Sequence, residues 1–253
     1  MTNFEQRKLD WRPFHDPRSR DYSIRSIINS KDVDVKSKVW EEGTVLDQGS
    51  EGACVGFAWM GELLAHPAAP KEQPSQKFAN SLASSYYRRA QKIDQWPGEN
   101  YEGTSVLAGA KIMQEEGFID SYRWCFNIKD VRDAILTTGP VVIGIPWKSG
   151  MYSTGPNGIV RVEGNTVGGH ALVVTGYHPA LKIDGRTQPV FRWRNSWGSD
   201  YGVDGSGYIR YNDLEDLLKN SGEACVPLGR KEPVFNTGRG LSNNLFLRRL
   251  FNR

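Results

Sequence analysis

The sequence predicts an α+β fold in which helices fill the first half of the chain and strands fill the second. Helical patterns end near residue 138, and from Pro140 onward short apolar segments alternate with Gly-rich turns. This segregation favours a two-lobed α+β domain over an alternating βαβ sheet. With 253 residues, the chain is long enough for one large domain or two small ones and for a sizeable buried core.

Four segments have the pattern of helices. The most apolar one begins at Cys54, directly after the Gly-rich loop Asp47–Ala53, and is predicted to be a buried helix. We expect the other three at residues 81–92, 105–116 and 129–138. The second of these three has a capping residue, Ser105, at its start and Gly117 after its end.

Five segments of the second half have the pattern of strands. They begin at Val141, Gly158, His170, Val190 and Gly207. Residues 179–188 predict an extended hairpin loop between two of them. Residues 1 to about 45 are polar and are interrupted by Pro13 and Pro17, which predicts an extended arm with a strand or turn instead of a helix.

The composition excludes several classes of protein. Three cysteines form an odd and sparse set, which argues against a disulfide framework and favours reduced thiols over a Cys125–Cys225 pair. No segment approaches the roughly 20 consecutive apolar residues of a membrane helix, and the N-terminus lacks an apolar secretory core. We therefore expect a cytoplasmic protein. No cysteine or histidine spacing suggests zinc, and no cofactor is predicted.

The positive charge is concentrated in the C-terminal tail. Residues 230–253 carry six Lys or Arg and one acidic residue, a surplus of five, whereas the whole chain has a net charge of +3. The remainder is thus near −2, so the body does not have the charge of a nucleic-acid binder. Residues 241–253 mix apolar and basic side chains, which predicts either a last element packed on the domain or a docking segment for a partner protein.

Cys54 has the local setting of a nucleophile. A cysteine in the first turn of a helix lies at the positive end of the helix dipole, which favours the thiolate. Gln48 lies six residues earlier, so its side-chain amide can point back at the same spot. Together with the backbone N–H of Cys54, this amide would form an oxyanion hole for a carbonyl under attack.

A base and a residue that orients it are also available. His170 opens a predicted strand after two glycines, and Asn195 ends the next strand. A hairpin brings the start of one strand beside the end of its antiparallel neighbour, so the two side chains can meet. Trp197 could then cover their hydrogen bond and exclude water from it.

These segments resemble the papain-like cysteine peptidase family. Gln48–Cys54 is similar to the family's loop before the nucleophile, Gly169–Ala171 to its histidine segment, and Asn195–Gly198 followed by Gly207–Ile209 to its asparagine segment. The resemblance covers about residues 45–212. One motif alone is weak evidence, but three in the family's order are strong.

The resemblance implies roles for individual residues. Cys54 would be the nucleophile, His170 the base, Asn195 the orienting residue and Gln48 an oxyanion donor. The residues that it implies for substrate binding are Gly103, Thr104, Gly144, Gly169, Ala171 and Trp197. Two of these, Gly144 and Ala171, match positions near the pocket for the residue that precedes the scissile one, and their small size predicts a roomy apolar pocket. No metal or cofactor is implied.

The resemblance also implies a papain-like two-lobed fold, with a helical N-terminal lobe, an antiparallel β-barrel-like C-terminal lobe and a cleft between them. The predicted divisions are an arm at 1–44, a peptidase domain at 45–228 and a tail at 229–253. Within the domain, the helical lobe would span about 45–138 and the β lobe about 139–228. Glu51 stands where secreted members have a disulfide cysteine. The arm from Trp11 to Tyr22 is similar to the opening of papain-like proteins from bacteria and their phages.

The predicted function is hydrolysis of peptide bonds through a thiol-acyl intermediate. The main alternative is a papain-scaffold interaction or structural component of a phage or bacterial assembly with little or no turnover, in which case the protein would be incorporated into a virion or another assembly. A cysteine amidase for a non-protein amide and an acyl transferase also stay open, because both use the same acyl-enzyme chemistry.

Overall fold

The computed structural model describes residues 4–96, 102–183 and 185–235, in which helices pack against one large sheet. The helices are α1 Cys54–Leu64, α2 Gln76–Ile93, α3 Val106–Glu115, α4 Ile128–Thr137 and α5 Tyr211–Lys219. The strands are β1 Lys38–Val39, β2 Ser121–Trp124, β3 Val141–Lys148, β4 Thr166–Ile183, β5 Arg186–Arg194, β6 Ser206–Arg210 and β7 Glu223–Leu228. The α+β class predicted from the sequence is confirmed.

Helix α1 is the centre of the helical lobe, and all eleven of its residues are buried. Its one charged side chain, Glu62, forms an ion pair of 2.6 Å with Arg230 and therefore does not lie unpaired in the core.

Helix α3 begins where predicted, because the Ser105 hydroxyl accepts from the Ala108 N–H at 3.2 Å. It ends before Gly117, which has the positive φ of a helix-terminating glycine.

The sheet is antiparallel throughout, with the strand order β2-β7-β3-β4-β5-β6 and with β1 paired to β4. The predicted antiparallel β lobe is confirmed, but the described strands do not close into a barrel, since β2 and β6 are its two ends. In the β4–β5 pairing Val173 lies opposite Arg194. This register brings Asn195, the next residue, toward His170 near the start of β4.

Two large apolar clusters make up most of the interior, beside a small third one around Val190. One joins α1, α2 and α3, and the other lies between the sheet and α4 and includes Trp147, Trp193 and Trp197. Because α4 packs on the sheet, its apolar face belongs to the second cluster. The start of α1 lies against β4, and the space beside them, which the arm occupies next to the Cys54 thiol, is called the cleft below.

Some local predictions differ from the structure. Residues predicted as a strand from Gly158 form only isolated bridges, such as the one between Ile159 and Tyr208. Residues 179–188 belong largely to a long β4–β5 hairpin instead of a loop, because strand pairing continues to Ile183 and Arg186. Helix α5 and strand β7 were not predicted. The three cysteines are free and buried, and the segment 241–253 lies outside the described residues.

The N-terminal arm crosses the molecule in two parts. Its residues Ser23–Asp32 contain short 3₁₀ turns that are held on α4 by Arg25, which forms ion pairs with Asp130 and, at 2.9 Å, with Asp133. Residues 8–12 run in an extended conformation through the cleft. The arm is thus anchored on one lobe and enters the space between the two.

Candidate active site

Cys54 is the first residue of α1 and is fully buried. Its thiol is hydrogen-bonded by the backbone of Ala171 on β4 and by the backbone of Asp10 in the arm. Burial nevertheless dominates and raises the pKa of the Cys54 thiol to about 12. The sequence predicted that the helix start would favour the thiolate form of Cys54. With the arm in place the sulfur is shielded from water, so the neutral thiol is the stable form.

His170 and Asn195 form the hydrogen bond that the sequence predicts. The Nε2–H of His170 donates to Asn195 Oδ1 over 2.8 Å, and the same oxygen accepts from the Ser196 N–H at 2.8 Å. Because the Ser196 N–H donates to this atom, it must be the amide oxygen of Asn195 and not the nitrogen. An amide oxygen only accepts hydrogen bonds, so Nε2 carries the proton of the neutral ring. The other ring nitrogen, Nδ1, is buried and has no hydrogen-bond partner among the described residues. It is therefore free to accept a proton.

Two indoles enclose the His170 ring. The ring centroid of Trp147 lies 4.8 Å away in an edge-on arrangement, and that of Trp197 lies 4.9 Å away. This burial lowers the pKa of His170 to about 4, although the hydrogen bond to Asn195 acts in the opposite direction. The predicted shielding role of Trp197 agrees with this geometry, whereas Trp147 was not predicted.

Gln48 joins the loop before Cys54 to the segment after β5. Its Oε1 accepts from the Ser196 hydroxyl at 2.8 Å, and its backbone N–H donates to the Ser196 carbonyl at 2.9 Å. Its Nε2 donates to the Glu51 carbonyl at 2.9 Å and to the Lys8 carbonyl at 3.3 Å. The amide proposed to hold an oxyanion thus already binds a carbonyl oxygen of the arm.

The arm fills the cleft as an added strand. On one side, Arg12 N donates to Thr104 O at 3.0 Å and Thr104 N donates to Asp10 O at 3.3 Å. On the other side, Trp11 N donates to Gly169 O at 2.9 Å. Gly103, next to Thr104, has a φ of 89°, and a Cβ there would overlap the Asp10 carbonyl. The backbone edges predicted to bind substrate are therefore paired with the chain's own arm.

The side chain of Trp11 lies in a pocket beside this strand. A Cβ at Gly144 would overlap its indole ring, so the glycine leaves the space that the ring fills. The indole Nε1–H donates to Glu223 Oε1 over 2.8 Å. Glu223 was not predicted as a site residue, and its only sequence signal is that it is the one acidic residue in the apolar segment Glu223–Leu228.

The predicted site residues are connected to one another and to the arm by separate contacts. Asn195 is bonded to His170, Gln48 is bonded to Ser196 and to the arm, and the Cys54 thiol is bonded by the arm and by Ala171, the residue after His170. Of the remaining candidates, Gly103, Thr104, Gly144 and Gly169 contact the arm, Ala171 contacts the thiol, and Trp197 contacts the histidine.

The chain matches a known protein family. The family model described as "Papain family cysteine protease" matches residues 83–225, more than half of the chain. The chain belongs to the papain family. Within the matched range lie His170 and Asn195, while Gln48 and Cys54 precede it.

Relatives of this papain-family chain include a protein from Blomia tropicalis named "Cysteine protease". The two are 25% identical over 195 residues, which is 65% of this chain and 56% of that relative's length. The match thus spans little more than half of the curated relative.

Solved structures share the papain-family fold at low sequence identity. Xylellain, a cysteine protease from Xylella fastidiosa, has a TM-score of 0.64 and is 19% identical, with 91% of this chain and 99% of xylellain covered. Digestive procathepsin L 3 from the Tenebrio molitor larval midgut has a TM-score of 0.57 and is 16% identical, with 88% of this chain and 76% of that chain covered.

Two kinds of feature are absent from the described residues. None of the helices within 4–96, 102–183 and 185–235 is long and apolar enough to cross a membrane. In the same part of the chain, His, Cys, Asp and Glu side chains form no group of three or more that could hold a metal ion.

Proposed function

We propose that this papain-family chain is a cysteine peptidase that hydrolyses peptide bonds through a thiol-acyl intermediate. The observation that carries the proposal is the state of His170. Its Nε2–H is committed to Asn195, and its buried Nδ1 is unpaired among the described residues. A neutral imidazole with a free acceptor nitrogen in a cleft that also holds a helix-start cysteine supports general-base chemistry.

The reaction then follows from the roles of these groups. His170 Nδ1 takes the proton of the Cys54 thiol, and the sulfur attacks the carbonyl carbon of the peptide. Gln48 Nε2 and the Cys54 N–H stabilise the oxyanion. As the carbon–nitrogen bond breaks, His170 returns the proton to the departing amine. Water, deprotonated by His170, then attacks the thioester, which releases a carboxylic acid and restores the thiol.

The arm must leave the cleft before a substrate can bind. Asp10 contacts the thiol, and the Lys8 carbonyl accepts from the Gln48 amide. A substrate needs both positions, so the covered chain is a resting state. We propose that opening of residues 8–12 precedes catalysis and restores water access to Cys54.

Labelling with a peptidyl epoxide tests the proposal. The reduced full-length chain and its Trp11→Ala variant are treated with the epoxide, the adduct is mapped by mass spectrometry, and cleavage of fluorogenic peptides is measured in parallel. We expect labelling at Cys54 and peptide turnover, both faster in Trp11→Ala. Absence of both in the folded variant would refute the enzyme proposal.

A matched pair of cysteine variants controls for nonspecific alkylation. Cys54→Ala should lose the label and all turnover. Cys125→Ala should keep both, because Cys125 is also buried but lies in the cluster beneath the sheet, away from the cleft.

A second candidate is a papain scaffold that binds partners without turnover. It is favoured by one observation, the complete covering of Cys54 with its raised thiol pKa. A Cys54→Ala chain that retains full biological function while the wild type cleaves no peptide would support this candidate. Release of an amine from peptides by the wild type, together with loss of function in Cys54→Ala, would exclude it.

A further inference from the structure

Helix α2 presents a row of polar side chains to the segment that carries Gln48. The row takes every fourth residue of the helix, and residues four apart lie on one face, so it forms a stripe about 18 Å long. The mechanism proposed above gives these residues no role. Its members, called the α2 stripe below, are Gln76, Asn80, Ser84 and Arg88.

The first half of the α2 stripe binds the backbone that leads to Gln48. Gln76 Nε2 donates to the Val45 carbonyl at 2.9 Å, and the Asp47 N–H donates to Asn80 Oδ1 at 3.1 Å. Both distances are those of ordinary hydrogen bonds. Because both bonds end on main-chain atoms of the segment, they fix the path of the chain ahead of the glutamine.

The second half of the α2 stripe holds Glu51, which in turn contacts the Gln48 amide. Ser84 Oγ donates to Glu51 Oε2 at 2.8 Å, and Arg88 donates to Glu51 Oε1 at 3.2 Å. The Glu51 carbonyl accepts from Gln48 Nε2 at 2.9 Å, and the Glu51 N–H donates to the Gln48 carbonyl at 3.3 Å. The carboxylate of Glu51 is therefore fastened to α2, while the backbone of the same residue contacts the amide proposed as an oxyanion donor.

The arm holds this loop as well. Arg7 donates to the Asp47 carboxylate at 2.5 Å and to the Gly49 carbonyl at 2.8 Å. Arg7 directly precedes residues 8–12, so in the opening proposed above it would leave with them. The α2 stripe belongs to the body of the helical lobe, and its bonds to the loop would remain, as would those from Ser196.

We infer that Glu51 is a positioning residue for oxyanion stabilisation and that the α2 stripe keeps it in place when the cleft is open. This inference rests on the proposed peptidase function, because Glu51 acts through Gln48. An oxyanion donor is effective when it is held, before the reaction, about 3 Å from the place where the charge develops. A loop without the stripe would have to be ordered in every turnover, which slows the chemical step.

A cycle of variants tests the link between Glu51 and Gln48. Glu51→Ala, Gln48→Ala and the double variant are made in the full-length Trp11→Ala chain, and kcat and KM are measured with a fluorogenic peptide. We expect Glu51→Ala to lower kcat by about 10-fold with little change in KM, and to have no further effect once Gln48 is replaced. Glu51→Gln, which can still accept from Ser84, should lower kcat less. An equal loss with and without Gln48 would overturn the inference.

Alkylation of Cys54 separates positioning from general damage to the site. Iodoacetamide reacts with the sulfur by displacement of iodide, so the reaction needs the thiolate but no oxyanion donor. We expect Glu51→Ala to leave the alkylation rate nearly unchanged while kcat falls. Ser84→Ala should lower kcat in part, whereas Ser85→Ala, at the exposed neighbouring position, is the matched control and should not. A loss of alkylation parallel to the loss of kcat would contradict the role given to Glu51.

Hydrogen exchange tests the hold on the loop without catalysis. Exchange of the backbone amides of residues 46–53 is followed by mass spectrometry in the full-length chain. We expect Glu51→Ala and Asn80→Ala to raise it by about 10-fold and Ser85→Ala to leave it unchanged. Unchanged exchange in both stripe variants would refute the inference.

The two kinds of measurement also distinguish this inference from the proposed function. If the parent Trp11→Ala chain neither cleaves peptides nor takes the epoxide label at Cys54, the proposed function fails and the positioning role fails with it. Raised exchange in Glu51→Ala would then identify the α2 stripe as a purely structural support of the loop. Turnover by the parent chain that Glu51→Ala leaves intact would refute the positioning role alone.

Discussion

The Ser196 hydroxyl donates to Gln48 Oε1 over 2.8 Å and so connects the loop that ends at Cys54 with the segment that begins at Asn195. With this oxygen engaged, the amide nitrogen of Gln48 faces the carbonyls of Glu51 and Lys8. The bond thereby sets the direction in which Gln48 presents its donors. Both lobes thus hold the amide that we propose as an oxyanion donor.

Removal of this bond should reduce turnover more than substrate affinity. We expect Gln48→Ala to lower kcat by about 10²- to 10³-fold, as loss of an oxyanion donor does. Ser196→Ala should lower kcat by only about 10-fold, because the backbone bond between Gln48 and Ser196 remains. Steady-state kinetics of both variants test this, with Ser26→Ala, an exposed serine, as the control. Equal effects of the Gln48 and Ser196 variants would contradict the role given to the hydroxyl.

Asn195 should act by holding the tautomer of His170. In Asn195→Ala the ring loses the acceptor of its Nε2 proton, so we expect kcat to fall by roughly 10²-fold with a smaller change in KM. The proton position can be followed by nitrogen NMR of the labelled imidazole, which separates an altered tautomer from simple misfolding. Unchanged nitrogen shifts in Asn195→Ala would argue against this assignment.

Uncovering the cleft should make the Cys54 thiol titrate at lower pH. In the covered state burial raises the thiol pKa to about 12, so little thiolate exists at neutral pH. Loss of the Trp11 ring in Trp11→Ala weakens the hold of the arm and admits water. We expect alkylation by iodoacetamide at pH 8 to speed up by about 10-fold or more, and its pH profile to shift toward the ordinary range.

A second arm tryptophan provides the matched control for that experiment. Trp40 packs against the sheet-side cluster, and its Nε1 donates to the Ile135 carbonyl at 2.8 Å, outside the cleft. Trp40→Ala should lower stability without the same gain in Cys54 reactivity. Similar gains in both variants would show that general destabilisation, and not removal of the arm from the cleft, exposes the thiol.

Glu223 should make the covered state less stable as pH rises. Its carboxyl has a folded pKa of about 7, above the ordinary 4.5, so the folded chain binds a proton there more tightly than the unfolded chain. The resulting stabilisation is complete below pH 4.5 and is lost as pH rises toward 7 and above. Relative to Glu223→Gln, we expect the free energy of unfolding to fall by roughly 3 kcal/mol between pH 4 and 8.

Urea unfolding of both proteins across this pH range measures the effect. The carboxyl faces the Trp11 indole N–H, the Val106 N–H and the Cys225 thiol. Glu163→Gln, a change at an exposed position, is the control for an altered net charge. A difference between wild type and Glu223→Gln that does not depend on pH would rule out the raised pKa.

Much of the proposed catalytic arrangement was predictable because it depends on local pattern and strand register. The apolar helix at Cys54 was evident from its composition, and a hairpin sufficed to bring His170 and Asn195 together. The Trp11–Glu223 contact was not predictable, since it joins residues 212 positions apart and depends on the path of an arm without periodic structure. The expectation for the thiol was reversed as well, because the burial of Cys54 outweighs the effect of the helix start.

The attachment of Arg25 to α4 has a consequence for how the cleft opens. Residues 8–12 are linked to the anchored turns by only a dozen or so residues, so in the opening that we propose they would leave the cleft without leaving the molecule. Dilution of the protein therefore cannot drive the equilibrium toward the open form. An incoming peptide competes with the tethered arm, whose effective concentration is of the order of millimolar for a short flexible tether. The anchor thus sets a threshold of substrate concentration or affinity, below which the cleft stays occupied by its own chain.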